Sequence, residues 1–397
     1  MFSECIMAPA DPILGLTEAY QQDTHPQKVN LGVGIYKNEA GLTPVLQAVK
    51  KAEAWLLEHE QSKSYLAIEG DKMYAQAVSQ LLFGAQHPFL AAGKIKTAQV
   101  PGGTGGLRVA ADFLHQAMHA KRIWVSKPTW ANHHAIFKTA GFEILNYTYY
   151  DAQHYTLDFA AMTADLDQAK PGDVVLFHTC CHNPTGADPS LAQWQALAQL
   201  CFEKELLPLF DSAYIGFHQG LEEDTQVLRL FANQVPEMLV VNSFSKNFSM
   251  YNERIGSLSV LGQNQTETSA AFSQIKRMAR TLYSNPPAHG ALVIGHILQN
   301  EALRTLWEQE LAEMRERIAI TRKALVKALA SNQAQIDFQF IEAQNGMFSF
   351  SGLNPAQVQR MRQEFGVYMV ESGRISVAGL NTQNLGYVVQ ALHQVLA

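Results

Sequence analysis

The chain has 397 residues, 47% of them hydrophobic and 17% charged, which is the composition of an ordered globular protein of two or three domains and excludes a disordered one. A formal net charge of -6 excludes the basic stripe of a nucleic-acid binder, so any pull on an anionic substrate has to come from a few local arginines. The four cysteines (Cys5, Cys180, Cys181, Cys201) offer no disulfide framework, the start Met1 to Met7 lacks the basic, apolar pattern of a signal peptide, and no apolar run is long enough to span a membrane, so a cytoplasmic protein is expected.

In chain order, the first structural signal is the glycine-rich turn Pro101-Gly102-Gly103-Thr104-Gly105-Gly106 before an amphipathic helix from Leu107 to Met118. Short apolar runs follow at Ile123-Trp124-Val125, at Val174-Val175-Leu176-Phe177 after the turn Pro171-Gly172-Asp173, at 206–210 and at Met238-Leu239-Val240-Val241. Helical patterns such as Leu191 to Phe202 lie between them. Short strands alternating with helices indicate an α/β fold, with a mostly parallel sheet covered on both faces and ligands at the C-terminal strand ends. Long helices are expected from Ala288 to Leu298 and from Ala302 to Leu329, where Leu303, Leu306, Trp307, Leu311, Met314 and Ile318 recur at helical spacing. The tail returns to mixed α/β: an apolar run at Phe338-Gln339-Phe340-Ile341, a second at Met347-Phe348-Ser349-Phe350, a helix from Pro355 to Phe365 and a last helix from Gln383.

Several residues at these strand ends could carry chemistry. Lys246, in Ser243-Phe244-Ser245-Lys246-Asn247-Phe248, follows the run at 238–241; partial desolvation there favours the neutral amine that Schiff-base chemistry needs, and the flanking serines could donate to a phosphate. Asp211, in Phe210-Asp211-Ser212-Ala213-Tyr214, could sit against a cationic ring nitrogen, with Tyr214 reaching a phenolic oxygen of the same ring; the plainer reading is a carboxylate capping a turn. The turn at 101–106 lets the backbone approach an anion at a helix N-terminus, but its spacing matches neither nucleotide fingerprint. The segment His178-Thr179-Cys180-Cys181-His182-Asn183-Pro184-Thr185-Gly186 holds four metal-ligand types, but side chains so close at a strand end point to opposite faces, so no metal is expected and Asn183 is left to meet a ligand from a sharp turn. Arg254, Arg280 and Arg374 stand beside strands or turns and suit phosphate or carboxylate. Trp130 could stack on a flat ring or fill core.

The ordered set of glycine-rich turn, His-Asn-Pro-Thr-Gly, Asp-x-x-Tyr, Ser-x-Ser-Lys and a final arginine resembles the class I pyridoxal-phosphate-dependent aminotransferases, in the branch of bacterial aspartate and aromatic amino-acid aminotransferases. The likeness runs from Pro9-Ala10-Asp11-Pro12-Ile13-Leu14 through Asn30-Leu31-Gly32-Val33-Gly34-Ile35-Tyr36 to Val377-Ala378-Gly379-Leu380. It implies an aspartate-aminotransferase-like fold (the type I fold of these enzymes). An N-terminal arm would cover 1–11, a smaller α/β domain 12–43 and 314–397, and a large cofactor-binding domain 44–313, the small one closing over substrate. It implies that Lys246 binds pyridoxal 5'-phosphate covalently and, once released, moves the proton of the substrate α-carbon. Asp211 would pair with the ring nitrogen, with His133 and His178 behind it. Asn183 and Tyr214 would hold the phenolic oxygen, and Trp130 would stack on the ring. Gly103, Thr104, Ser243, Ser245 and Arg254 would bind the phosphate, joined by Tyr65 from a neighbouring subunit. Arg374 would clamp the substrate α-carboxylate, with Gly34 nearby. Arg280, also from the neighbour, would take a distal carboxylate, so the resemblance implies a homodimer with shared sites. It also implies cis peptides before Pro128 and Pro184.

The substrate is less fixed. Arg280 argues for dicarboxylates, yet aromatic side chains fit if that arginine swings out. Ser212 and Ile215 depart from the aspartate pattern, where phenylalanine and glutamine are usual, as do Ser64 and Ile35. Asn242-Ser243-Phe244-Ser245 and Gly186-Ala187-Asp188 look like the aromatic branch, whereas Lys37, Thr43, Thr104 and Asn285 follow the aspartate one. A broad enzyme accepting aromatic and dicarboxylic amino acids with 2-oxoglutarate is expected, an aspartate-specific one being the alternative. Ser212, smaller than phenylalanine, is expected to loosen the packing behind the cofactor.

Overall fold

The structure, a computed structural model, describes residues 2–7, 14–330 and 337–396. The motif residues 9–13 therefore lie outside the described residues. The chain divides into two compact units: one holds Pro44–Asn183 and Ala187–Glu316, the other the residues up to Thr43, Pro184–Gly186 and those from Arg317 onward. The 30-residue helix Glu301–Ala330 contributes to both. None of the described helices is long and apolar enough to cross a membrane.

The first unit is built on a seven-stranded sheet. Its strands are β1 (Ile95–Pro101), β2 (Arg122–Lys127), β3 (Glu143–Thr148), β4 (Val174–His178), β5 (Leu207–Ser212), β6 (Met238–Ser243) and β7 (Ile255–Leu261), in the order β1-β7-β6-β5-β4-β2-β3. Strands β3, β2, β4, β5 and β6 pair in parallel, and β7 runs antiparallel to both β6 and β1. β4 and β6 are buried at every position, which is why they read as unbroken apolar runs. β1 and β7 gave no such signal because Thr97, Gln99, Ser257 and Ser259 alternate with their apolar residues, although all four are buried.

The helix Gly102–Gln116 packs Leu107, Ala110 and Leu114 into the core formed with Val100, Val241 and Leu258. It starts five residues earlier than expected, the glycine-rich segment itself being its first turn. At Gly106 helix and sheet approach closely: a Cβ there would lie 2.7 Å from Val241 Cγ1 and 2.9 Å from Val100 Cγ2.

The second unit has its own core of Leu31, Leu325, Leu329, Met361, Val367 and Val377, among others. Val29–Asn30 pairs in parallel with Val367–Tyr368, and Phe348–Phe350 pairs antiparallel with Arg374–Ser376. Helix Pro355–Phe365 has a capping box from Asn354 and Gln357 and stops at Gly366, whose φ of 61° is left-handed. The run at 338–341 is not a strand. It ends in the one-turn helix Phe340–Ala343 with Phe338 and Ile341 buried, a short apolar run being equally compatible with either period. The Lys127–Pro128 peptide is cis as expected, but Asn183–Pro184 keeps the ordinary trans form. Cys181, at φ 53°, makes the bend before that proline.

Gly106→Ala is expected to destabilise the protein by about 1–3 kcal/mol, because the added methyl must push Val241 and Val100 from their positions. Urea denaturation of the variant beside the parent measures this; an unchanged midpoint would mean that the helix slides off the sheet at little cost.

Candidate active site

Parallel strands bring their C-terminal ends to one edge, and His178, Asp211 and Ser243 stand at the ends of β4, β5 and β6. The reversed β7 begins at that same edge, so Arg254, just before Ile255, is delivered beside them.

Asp211 is buried, and its Oδ2 lies 2.9 Å from His133 Nε2. His133 Nδ1 is 2.8 Å from Thr129 Oγ1, so a neutral ring donating to the carboxylate accepts the threonine hydroxyl behind. Burial alone would push the Asp211 carboxyl up. The His133 hydrogen bond, with the nearby Lys246 contributing, more than offsets it, holding the group below the usual carboxylate range. His178 packs with its ring centroid 5.2 Å from that of His133, and neither of its nitrogens bonds to a described residue. Burial, chiefly, holds its pKa at about 3. His178 thus meets the His133–Asp211 pair by packing and not by a hydrogen bond. Donor atoms of His133, His178 and Asp211 lie within 4.8 Å of one another, although His133 and Asp211 spend theirs on each other.

The segment after β4 is pinned by Asp188, which accepts from Cys181 N at 2.8 Å and His182 N at 2.9 Å. His182 stacks on Tyr149 at 3.8 Å between centroids, with Nε2 2.9 Å from Ser126 Oγ. Asn183 Nδ2 approaches Tyr214 Oη at 3.5 Å, a long contact. The half-buried Lys246 holds Nζ 4.8 Å from the Tyr214 ring centroid. Trp130 meets His133 edge-on at 5.2 Å.

A second cluster lies where β1 feeds its helix. Arg254 Nη1 donates to Ser245 Oγ at 3.2 Å and to Tyr251 O at 2.9 Å, and Ser243 Oγ is 3.3 Å from Ser245 Oγ. Gly102 has a φ of 68°, a conformation that favours glycine, and a Cβ there would come 2.5 Å from Arg254 Nη2, so the guanidinium would have to shift. Gly103 lies against Ser243, where a Cβ would be 3.2 Å from the serine's own. Thr104 is exposed in the same first turn. A guanidinium, two hydroxyls and the open N–H groups of a 15-residue helix suit a phosphate. With a carboxylate for a ring nitrogen and a lysine amine, these residues fit the phosphate and pyridine of pyridoxal phosphate.

Tyr65 and Arg280 line a separate concavity of about 880 Å³, with Lys63, Ser64, Tyr283 and Asn285. Tyr65 is 93% exposed, and Arg280 Nη1 donates to Ser284 Oγ. In the second unit, Arg374 is buried, donates from Nη2 to Gly32 O and lies with Cζ 4.2 Å from the Phe348 ring centroid. Gly34 lies against that ring too, where a Cβ would come 2.6 Å from Phe348 Cζ.

Residues 26–392 match the family model described as aminotransferase class I and II. The chain belongs to this family. It is 53% identical over 396 residues to the aspartate aminotransferase of Escherichia coli (strain K12), covering 100% of both. Its backbone matches the crystal structure of an aromatic-amino-acid aminotransferase from Burkholderia pseudomallei, covalently bound to pyridoxal phosphate, with TM-score 0.97, 47% identity and 100% of each chain covered. A psychrophilic aromatic amino acid aminotransferase from Psychrobacter sp. B6, cocrystallised with aspartic acid, matches with TM-score 0.97 and 40% identity, again over 100% of each. The fold is therefore that of the aspartate aminotransferases, as the sequence suggested, and the protein is an aminotransferase.

Three features of this aminotransferase escaped the sequence reading. Phe348 as the platform for Arg374 lay in an apolar run with nothing to single it out. Thr129 behind His133 could have been found from its spacing of four. His182 was read only as a possible ligand, whereas Ser126 and Tyr149 engage it.

Keeping His178 neutral stabilises the fold fully above the unfolded imidazole's pKa of about 6.5. That stability is lost as pH falls from there toward the folded value of about 3, because the unfolded chain binds a proton that the folded one refuses. Replacing His178 by glutamine is expected to flatten the fall in urea stability between these pH values by up to one proton. Equal slopes for parent and variant would mean that the folded protein carries a charged His178.

Proposed function

We propose that this aminotransferase moves the amino group of aromatic and dicarboxylic L-amino acids to 2-oxoglutarate by a ping-pong reaction with pyridoxal 5'-phosphate. The observation that supports the cofactor is the cluster of Lys246, Asp211 with His133, and the Arg254–Ser245–Gly102 cradle in one unit. When bound, the cofactor supplies an electron sink for the substrate α-carbon. Lys246 holds it and then, as a free amine, takes the proton from that carbon. Asp211, kept ionised by His133, secures the proton on the ring nitrogen. Tyr214 and Asn183 donate to the phenolic oxygen, and Trp130 covers the ring. Gly103, Thr104, Ser243, Ser245 and Arg254 hold the phosphate, with Tyr65 of a second subunit. Arg374 takes the substrate α-carboxylate beside Gly34. The proposal includes a cytoplasmic homodimer with shared sites and a small domain (12–43 and 314–397) closing over the large one (44–313) behind an arm at 1–11.

The substrate range rests on Arg280. Its guanidinium is exposed and makes no ion pair with any described residue, so it can meet a distal carboxylate or swing aside for an aromatic ring. An aromatic enzyme of this family that crystallises with aspartic acid supports both uses on one scaffold. A second reading, aspartate specificity, draws on the higher identity to the E. coli aspartate enzyme, 53% against 47% for the Burkholderia aromatic one.

Single half-reactions with aspartate and with phenylalanine, followed by cofactor absorbance, should both run to completion. Conversion by aspartate alone would establish the second reading. In Arg280→Leu the rate with aspartate is expected to fall roughly 100-fold, as befits loss of the charge partner of the distal carboxylate, while phenylalanine stays within a few fold. An equal loss for both substrates would remove Arg280 from substrate selection.

A further inference from the structure

Gln99 on β1, Ser257 on β7, Asn242 on β6 and Ser212 on β5 stand directly opposite one another across four strands. Cross-strand partners share a face, so these side chains form a row on one side of the sheet, while their neighbours Val241 and Asp211 point to the other. All four are at most 1% exposed. Two residues along on the same face, Thr97 Oγ1 bonds to Ser259 Oγ at 2.7 Å and to Ser79 Oγ at 2.8 Å, so the hydroxyls there satisfy one another.

The row itself is incomplete. Its ends are paired: Ser212 with Thr179, and Gln99 with Asp71 N at 3.2 Å and Pro287 O at 2.6 Å. In the middle, neither amide atom of Asn242 nor Ser257 Oγ has a partner among the described residues. Buried amides in folded proteins are almost always bonded to protein or to ordered water. One amide N–H₂, one amide oxygen and one hydroxyl on adjacent strands offer the two to four contacts that hold an internal water.

We propose that Asn242 and Ser257 hold ordered water under the sheet, and that this hydrated row positions the strand ends on the opposite face. Asn242 immediately precedes Ser243, Ser212 follows Asp211, and Ser257 lies on the strand that begins just after Arg254. Asn242 is thus a positioning residue acting through Ser243 on phosphate binding. The hydration is independent of the proposed activity; the positioning role rests on that reading of the cofactor site.

A high-resolution crystal structure should show ordered water within hydrogen-bond distance of Asn242 and Ser257; a dry contact there overturns the hydration. The double variant Asn242→Leu, Ser257→Ala removes both partners together, so urea stability should hold or rise while the dissociation constant for pyridoxal phosphate, read by absorbance, weakens about fivefold or more. Asn242→Ser keeps a polar group for the water and should return affinity to within about twofold of the parent. An unchanged dissociation constant in the double variant, or a loss in Asn242→Ser as large as in the double variant, overturns the positioning role. If the parent itself fails to bind pyridoxal phosphate, the cofactor reading falls and the crystallographic result still decides the hydration.

Discussion

A carboxylate at the end of a central strand, closed off from water, has to be given a donor or lose its charge. Asp211 keeps its charge because His133 Nε2 lies 2.9 Å from it and Thr129 fixes the far side of that ring. Much of the surrounding arrangement serves this pair. His178 fills the space beside it without adding a cation, since burial keeps its imidazole neutral. The helix Asn132–Ala140, anchored in the core by Ile136 and Phe137, carries His133, with Trp130 meeting that ring edge-on just ahead of it.

The topology then decides what else can reach this point. Five strands pairing in parallel deliver side chains from their C-terminal ends only. An arginine that must meet Ser243 and Ser245 from the far side of β6 therefore needs a strand running the other way. β7 is that strand, and Arg254 accepts a φ of 56°, unfavourable for a side chain other than glycine, to make the entry. Gly102 provides the room, since any Cβ there would collide with the guanidinium.

Much of this was legible in the sequence, and the failures have physical causes. Lys246, Asp211 and the serines could be placed because buried parallel strands announce themselves as apolar runs and the chemistry follows at their ends; Arg254, ahead of an antiparallel strand with no such run, was singled out only by its side-chain chemistry and the family resemblance. β1 and β7 were missed because their reverse face is hydroxyl and amide, the same row that carries Asn242. Ser212 illustrates the limit. Its small volume suggested loose packing; the structure shows it buried and bonded to Thr179, so the position is polar. The volume of a residue was readable; the identity of its partner, 33 positions back, was not.

Charge shows the same division between global and local. The chain as a whole carries -6, which would repel a dicarboxylate. Beyond about 8 Å in physiological salt that field is largely screened, so a substrate responds to what stands next to it. In the first unit the nearby groups are Lys246 and Arg254 against the single carboxylate of Asp211, and the buried histidine His178 stays neutral. Had His178 carried a proton, Asp211 would face a cationic ring as well as Lys246, and its charge would be spent on the protein in place of a ligand's ring nitrogen. Burial of one imidazole therefore sets how much negative potential Asp211 has left to offer, and that quantity bears directly on the chemistry proposed for the site.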